Sequence, residues 1–99
     1  MKGIVFTEFL EMVEAEFGLE TVDNIIEKSN LPSQGIYTSV ATYEFNEMVA
    51  LITQLSEEVD LPAGDLIYAF GLYLFSSLKN AHPEVIQSYR SPIGLLYSI

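Results

Sequence analysis

Ninety-nine residues, 49% of them hydrophobic, suffice for one domain and are too apolar for intrinsic disorder. The absence of cysteine removes disulfides, thiolate zinc sites and cysteine nucleophiles from consideration. Fourteen acids against four bases give a formal charge of −10, which repels phosphate backbones and anionic lipid surfaces and argues against nucleic-acid and membrane binding.

Glu8 and Glu11 interrupt the first apolar stretch before a signal-peptide core could form, so a cytoplasmic location is expected. Phe6, Phe9, Leu10, Val13 and Phe17 recur at three- and four-residue spacing with Glu8, Glu11, Glu14 and Glu16 between them. That pattern predicts an amphipathic helix closed by Gly18. Thr21 is the expected N-cap of a second, shorter helix that buries Val22, Ile25 and Ile26 and ends near Ser29-Asn30, ahead of Pro32. Leu31 to Thr42 is predicted as a loop, with Ile36, Tyr37 and Val40 forming a brief extended piece.

A third helix is predicted over Glu44 to Val59, with Phe45, Met48, Val49, Ile52, Leu55 and Val59 as its apolar stripe. Glu57, Glu58 and Asp60 crowd its C-terminal end, where negative charge meets the negative pole of the helix dipole. Pro62 opens a fourth helix running to about Asn80, with Asp65 in its first turn. Leu66 to Phe75 is unbroken apolar sequence, well short of the ~20 residues needed to cross a bilayer, so this helix is expected to be surrounded by protein or ligand. Gly71 within it costs about 1 kcal/mol relative to alanine, which implies a close backbone approach. A short helical turn is expected after Pro83. Ser91-Pro92 signals another helix start, and with only Ile93 to Ile99 following, the domain is expected to continue past Ile99.

Charge is uneven. Met1 to Asp65 holds 13 acids and two bases, whereas Leu66 to Ile99 holds one acid and two bases, so the first part reads as solvated helices and the second as interior. With one histidine, no cysteine and no glycine-rich phosphate loop, a Ser-His-Asp arrangement or a nucleotide site finds no support. Glu57 and Glu58 are adjacent, so they diverge on a helix and cannot share a substrate. Periodicity by itself explains the aromatic and aliphatic stripes as a packed core, each large side chain contributing roughly 1.5 to 3 kcal/mol on burial.

Three segments add a family resemblance. Met1-Lys2-Gly3-Ile4-Val5-Phe6 leads straight into an acidic amphipathic helix, Gly35-Ile36-Tyr37-Thr38-Ser39 lies in the loop, and Ala69-Phe70-Gly71-Leu72-Tyr73-Leu74-Phe75 lies in the central helix. In that order and spacing, over the whole chain, they resemble the heme nitric oxide/oxygen-binding (H-NOX) domain family. The resemblance implies a mainly α fold of about five to six helices, the last one truncated. It would be the N-terminal helical subdomain of an α+β heme-binding sensor domain, spanning residues 1–99 without the C-terminal subdomain.

The resemblance also implies heme as cofactor, held between the two subdomains, and it places Val5, Phe9, Leu74 and Leu78 on the distal wall. Each pair is four residues apart and so faces one way, and all four are apolar. A wall without a hydrogen-bond donor suits nitric oxide better than oxygen. The family's iron-ligating histidine belongs on the helix beginning at Ser91-Pro92, just beyond Ile99, and the Tyr-x-Ser-x-Arg motif that holds the heme propionates is likewise not in this sequence. His82 is expected at a helix end near solvent, with substitute iron ligation as the alternative. By resemblance the domain is sensory and non-enzymatic. Nitric oxide would weaken the iron–histidine bond and shift its helix, and a histidine kinase, a cyclic-di-GMP enzyme or a guanylate cyclase would read the shift. The competing expectation is an acidic helical protein-interaction module that binds no heme, with a homodimer through its exposed apolar surface.

Overall fold

The computed structural model describes residues 1–81, which form four helices: α1 (Gly3–Phe17), α2 (Leu19–Ser29), α3 (Phe45–Val59) and α4 (Ala63–Ala81). They correspond to the four helices predicted for this stretch. The turn expected after Pro83 and the helix expected from Pro92 lie outside the described residues. α1 packs on α2 and α4, and α3 closes the ring by packing on the same two helices. Among the described residues the β-pairing is one isolated antiparallel bridge, Lys2 to Thr42.

α1 starts at Gly3, where Lys2, extended and bridged to the loop, hands the chain directly into helix. Val5, Phe6, Phe9, Met12 and Val13 are buried on it, while Leu10 and Phe17 are partly buried against the same core. Gly18, at φ 95° and ψ 163°, closes α1 and opens α2. A backbone that only glycine adopts readily lets the chain turn there without linker residues. Thr21 is consequently inside α2 rather than its cap, and its hydroxyl donates to the Phe17 carbonyl at 3.2 Å. α2 buries Val22 and Ile25, and Asn30 ends it in the left-handed conformation, which asparagine tolerates.

In the segment between α2 and α3, turns span residues 32–35 and 39–40; no strand forms at the expected extended piece, Ile36 and Tyr37 being irregular and Val40 in a turn. Gln34 N–H donates to the Leu31 carbonyl and Ile36 N–H to that of Ser33. Gln34 and Gly35 both carry positive φ, which turns the chain just ahead of Ile36. A side chain at Gly35 would in addition meet Ile26 Cγ2 at 2.6 Å.

α3 buries Met48, Leu51, Ile52 and Leu55, but Phe45 and Val49 of the predicted stripe are exposed. At 100° per residue they fall on the rim of the buried face, beyond reach of α2 and α4. Asp60 turns left-handed to end the helix, and the charge crowded there is partly answered by α2. Lys28 Nζ and Asn24 Nδ2 donate to Glu58, holding its carboxyl below the usual range chiefly through the Lys28 hydrogen bond.

α4 buries Leu66, Phe70, Leu74 and Leu78 at four-residue intervals. The expectation that its apolar run is surrounded on all sides is corrected: Tyr68 and Leu72 are exposed on the opposite face. No single described helix is long and apolar enough to cross a membrane.

Candidate functional site: the α1–α4 seam and its aromatic staple

α1 and α4 run antiparallel. Near one end of the seam Ser77 Oγ donates to Glu8 Oε2 at 2.9 Å, and at the other Glu16 and Phe17 share a groove with Asp65 and Leu66. Val5 and Phe9 therefore lie on the half of α1 that faces the C-terminal half of α4, where Leu74 and Leu78 sit. All four belong to one buried core cluster, and Val5, Phe9 and Leu74 have no exposed surface. Phe9 meets Phe70 edge to face at 5.0 Å between ring centroids, a geometry that favours aromatic pairs beyond simple area burial.

Val5, Phe9, Leu74 and Leu78 are hydrocarbon, and two of the hydroxyls beside them in sequence are occupied. Thr7 donates to the Ile4 carbonyl at 3.0 Å and Ser77 to Glu8. Tyr73 is pushed above its ordinary pKa by burial, with Glu8 and Glu11 adding to the effect. Among the described residues no cluster of histidine, aspartate or glutamate side chains is placed to hold a metal ion. His82 lies outside the described residues.

Phe6, beside Val5 but turned toward the loop, is the top of an aromatic staple that sequence reasoning missed. It stacks on Tyr37 at 4.4 Å and 16°, and Tyr43 stands edge-on to both rings at 5.5 and 4.8 Å. Tyr37 Oη and Ser33 Oγ donate to Glu47 Oε1 at 3.1 and 2.6 Å. Glu47 is the one buried charged side chain among the described residues, and these donors meet the requirement that a buried carboxylate be hydrogen-bonded. The Tyr37 phenol is pushed up to about 12, first by burial and then by the Glu47 carboxylate it faces.

The backbone completes the staple. Thr38 N–H donates to Tyr43 Oη at 2.8 Å, Gly3 N–H to the Ala41 carbonyl at 2.8 Å, and the Met1 ammonium to the Tyr43 carbonyl at 2.8 Å. The start of α1 thus nests on the loop so closely that a Cβ on Gly3 would stand 1.6 Å from the Thr38 carbonyl oxygen. Two of the three segments that carry the family resemblance, the opening around Gly3 and the Gly35-to-Ser39 stretch, are the two sides of this one contact.

A family model described as haem-NO-binding matches residues 2–99. No curated protein sequence matches. Among solved structures, the chain is similar to the unliganded Fe(II) H-NOX protein from K. algicida, with 46% identity and a TM-score of 0.83, over 100% of this chain and 54% of that one. The Shewanella woodyi H-NOX bound to IWP-051 in the Fe(II)CO state gives 41% identity and a TM-score of 0.75, over 100% of this chain and 52% of that one. An H-NOX protein from S. oneidensis in the Fe(II)NO state gives 28% identity and a TM-score of 0.76, over 90% of this chain and 49% of that one. The chain spans about half the length of these proteins. By family match and by fold, this chain belongs to the haem-NO-binding (H-NOX) family of heme-based gas sensors, and its four helices match the helical N-terminal part of that domain.

Proposed function

We propose that this chain forms the distal half of a nitric oxide sensor, with heme lying against Val5 and Phe9 of α1 and Leu74 and Leu78 of α4. Bound heme supplies a ferrous iron that takes up a diatomic gas. The four side chains are hydrocarbon, which suits a porphyrin face and provides no ligand to the iron, and at 0 to 2% exposure they meet heme only where the core between α1 and α4 opens to it. What this chain contributes is exclusion of water and a wall of fixed shape. The observation that carries the reading is the convergence of these four apolar residues in one buried cluster on two contacting antiparallel helices.

Selectivity follows from what the wall lacks. Bound oxygen is retained by a hydrogen-bond donor on the distal side, whereas nitric oxide binds ferrous heme strongly without one. Thr7 and Ser77 already donate within the protein, and the Tyr73 phenol beside Leu74 faces Glu8 and Glu11 on α1. Relatives are in Fe(II)CO and Fe(II)NO states, which supports a gas as the ligand class. The domain is sensory rather than catalytic and works in the cytoplasm. A histidine kinase, a cyclic-di-GMP enzyme or a guanylate cyclase reads the change, and a ligand drives it only through different affinity for two arrangements.

Hemin titration of this chain joined to the C-terminal half of the K. algicida H-NOX protein tests the reading, since the chain's own wall offers the iron no ligand. One-to-one uptake with a sharp Soret band, a band shift under nitric oxide after reduction, and no lasting oxygen complex in air are expected. Broad spectra that never saturate would overturn the heme site, and a lasting oxygen complex would overturn the selectivity.

A further inference from the structure

The one side-chain hydrogen bond between α1 and α4 among the described residues keeps step with the wall. Glu8 stands three residues after Val5 and one before Phe9, and Ser77 stands three after Leu74 and one before Leu78. Residues three apart are neighbours on a helix surface, so the carboxylate and the hydroxyl border the wall residues of their own helices in the same way. There Ser77 Oγ donates to Glu8 Oε2 at 2.9 Å, across 69 residues of chain, and both side chains are half-buried. Tyr73, one turn before Ser77, extends this polar edge, its phenol pushed up by burial and then by Glu8 and Glu11.

Burial of apolar surface is non-directional, so it governs how much of Val5, Phe9, Leu74 and Leu78 is covered more than where along the seam they meet. A hydrogen bond is directional and weakens steeply when its angle or length departs from ideal, and an ionised acceptor strengthens it. The four wall residues are 0 to 2% exposed and meet heme only where the core opens. Hydrocarbon contacts between the helices are given up there, which leaves the polar edge to keep α1 and α4 in register.

We propose that the Ser77–Glu8 hydrogen bond is a positioning latch, fixing the register of α1 against α4 and through it the shape of the wall that a heme-bound gas meets. The proposal rests on the sensor reading and deepens it. Glu8 and Ser77 are positioning residues: they act through Val5, Phe9, Leu74 and Leu78 rather than by touching the gas. Steric access and polarity on the distal side govern how a diatomic ligand sits on heme iron, so a shift in register is read by the ligand itself.

Two measurements test it. Urea denaturation of the heme-free chain with Glu8→Ala, Ser77→Ala and both together should show coupling of about two- to twelvefold in the folding constant, the net worth of one hydrogen bond. In the hybrid with the K. algicida C-terminal half, reduced and under carbon monoxide, the infrared C–O stretching band reads the distal surroundings. Glu8→Ala and Ser77→Ala should shift or broaden that band alike, with no further change in the double variant. Glu8→Gln, whose amide oxygen still accepts from Ser77, should restore the wild-type band, and Glu11→Gln, on an exposed side chain one turn away, should leave it unchanged. No coupling in urea, an unmoved band in Glu8→Ala and Ser77→Ala, or a band moved as far by Glu8→Gln as by Glu8→Ala would overturn the latch while the sensor reading stands. A wild-type hybrid that takes up no heme would overturn the sensor reading and the latch's role together.

Discussion

Replacing Gly3 with alanine would set a methyl group 1.6 Å from the Thr38 carbonyl oxygen, 2.7 Å from its carbon and 2.9 Å from the Tyr43 ring. The nearest two atoms are backbone and cannot rotate aside, so α1 and the loop must separate by roughly 2 Å to restore van der Waals distance. That movement breaks the Gly3 N–H bond to Ala41 and the Lys2–Thr42 bridge. Overpacking costs about 1 to 3 kcal/mol and the lost hydrogen bond about 0.5 to 1.5, against a helix-propensity gain for alanine of at most about 1. The net loss is about 0.5 to 4.5 kcal/mol, or roughly 2 to 35 °C in Tm for a domain of this size. Gly64→Ala is the internal control: nothing lies within 4 Å of the place its Cβ would take on α4, so it should stabilise by about 0.4 to 1 kcal/mol. Thermal melts followed by far-ultraviolet circular dichroism decide the matter. A Gly3→Ala variant melting with the wild type, or Gly64→Ala falling as far as Gly3→Ala, would refute the nested contact between α1 and the loop.

Three other outcomes follow from the same contacts. Glu47→Ala should cost about 2 to 3 kcal/mol in urea denaturation, since it removes charge-assisted hydrogen bonds and leaves Ser33 and Tyr37 donors without their acceptor. Tyr37 should stay protonated until about pH 12 in the folded chain. Because its folded pKa is raised above the unfolded value, the native state keeps a proton the unfolded chain releases, and stability falls as pH rises from about 10 through about 12. Ultraviolet phenolate titration of the wild type against Tyr37→Phe checks this, and a Tyr37 that ionises with the exposed tyrosines would contradict it. Phe9→Ala should cost about 3 to 5 kcal/mol through the cavity left against Phe70.

Helices are legible in the sequence where periodicity is strong, and the differences have physical causes. The apolar stripe of α3 reads too wide because Phe45 and Val49 are hydrophobic yet sit on its rim, and composition cannot say which edge a neighbouring helix covers. The unbroken apolar run of α4 hides the fact that Tyr68 and Leu72 face outward. Thr21 has the chemistry of a cap, but Gly18 has already turned the chain before it. The pairing of Val5 and Phe9 with Leu74 and Leu78 comes from family resemblance, since periodicity places each pair on one face without bringing the two helices together. The Ser33–Tyr37–Glu47 network leaves almost no trace in the sequence. Its partners are 10 and 14 residues apart, and only a fold that brings the loop back over α3 makes a buried glutamate tolerable.

The distal wall is tested most directly by methyl NMR of the chain during hemin titration. Val5, Leu74 and Leu78 carry methyl groups in the proposed wall, while Leu19, Val40 and Val49 carry them on exposed surface. Ferric iron broadens the signals nearest to it. The wall predicts loss of the Val5, Leu74 and Leu78 signals in proportion to hemin bound, with the exposed methyls sharp throughout. Uniform broadening, or loss of the exposed signals first, would contradict it.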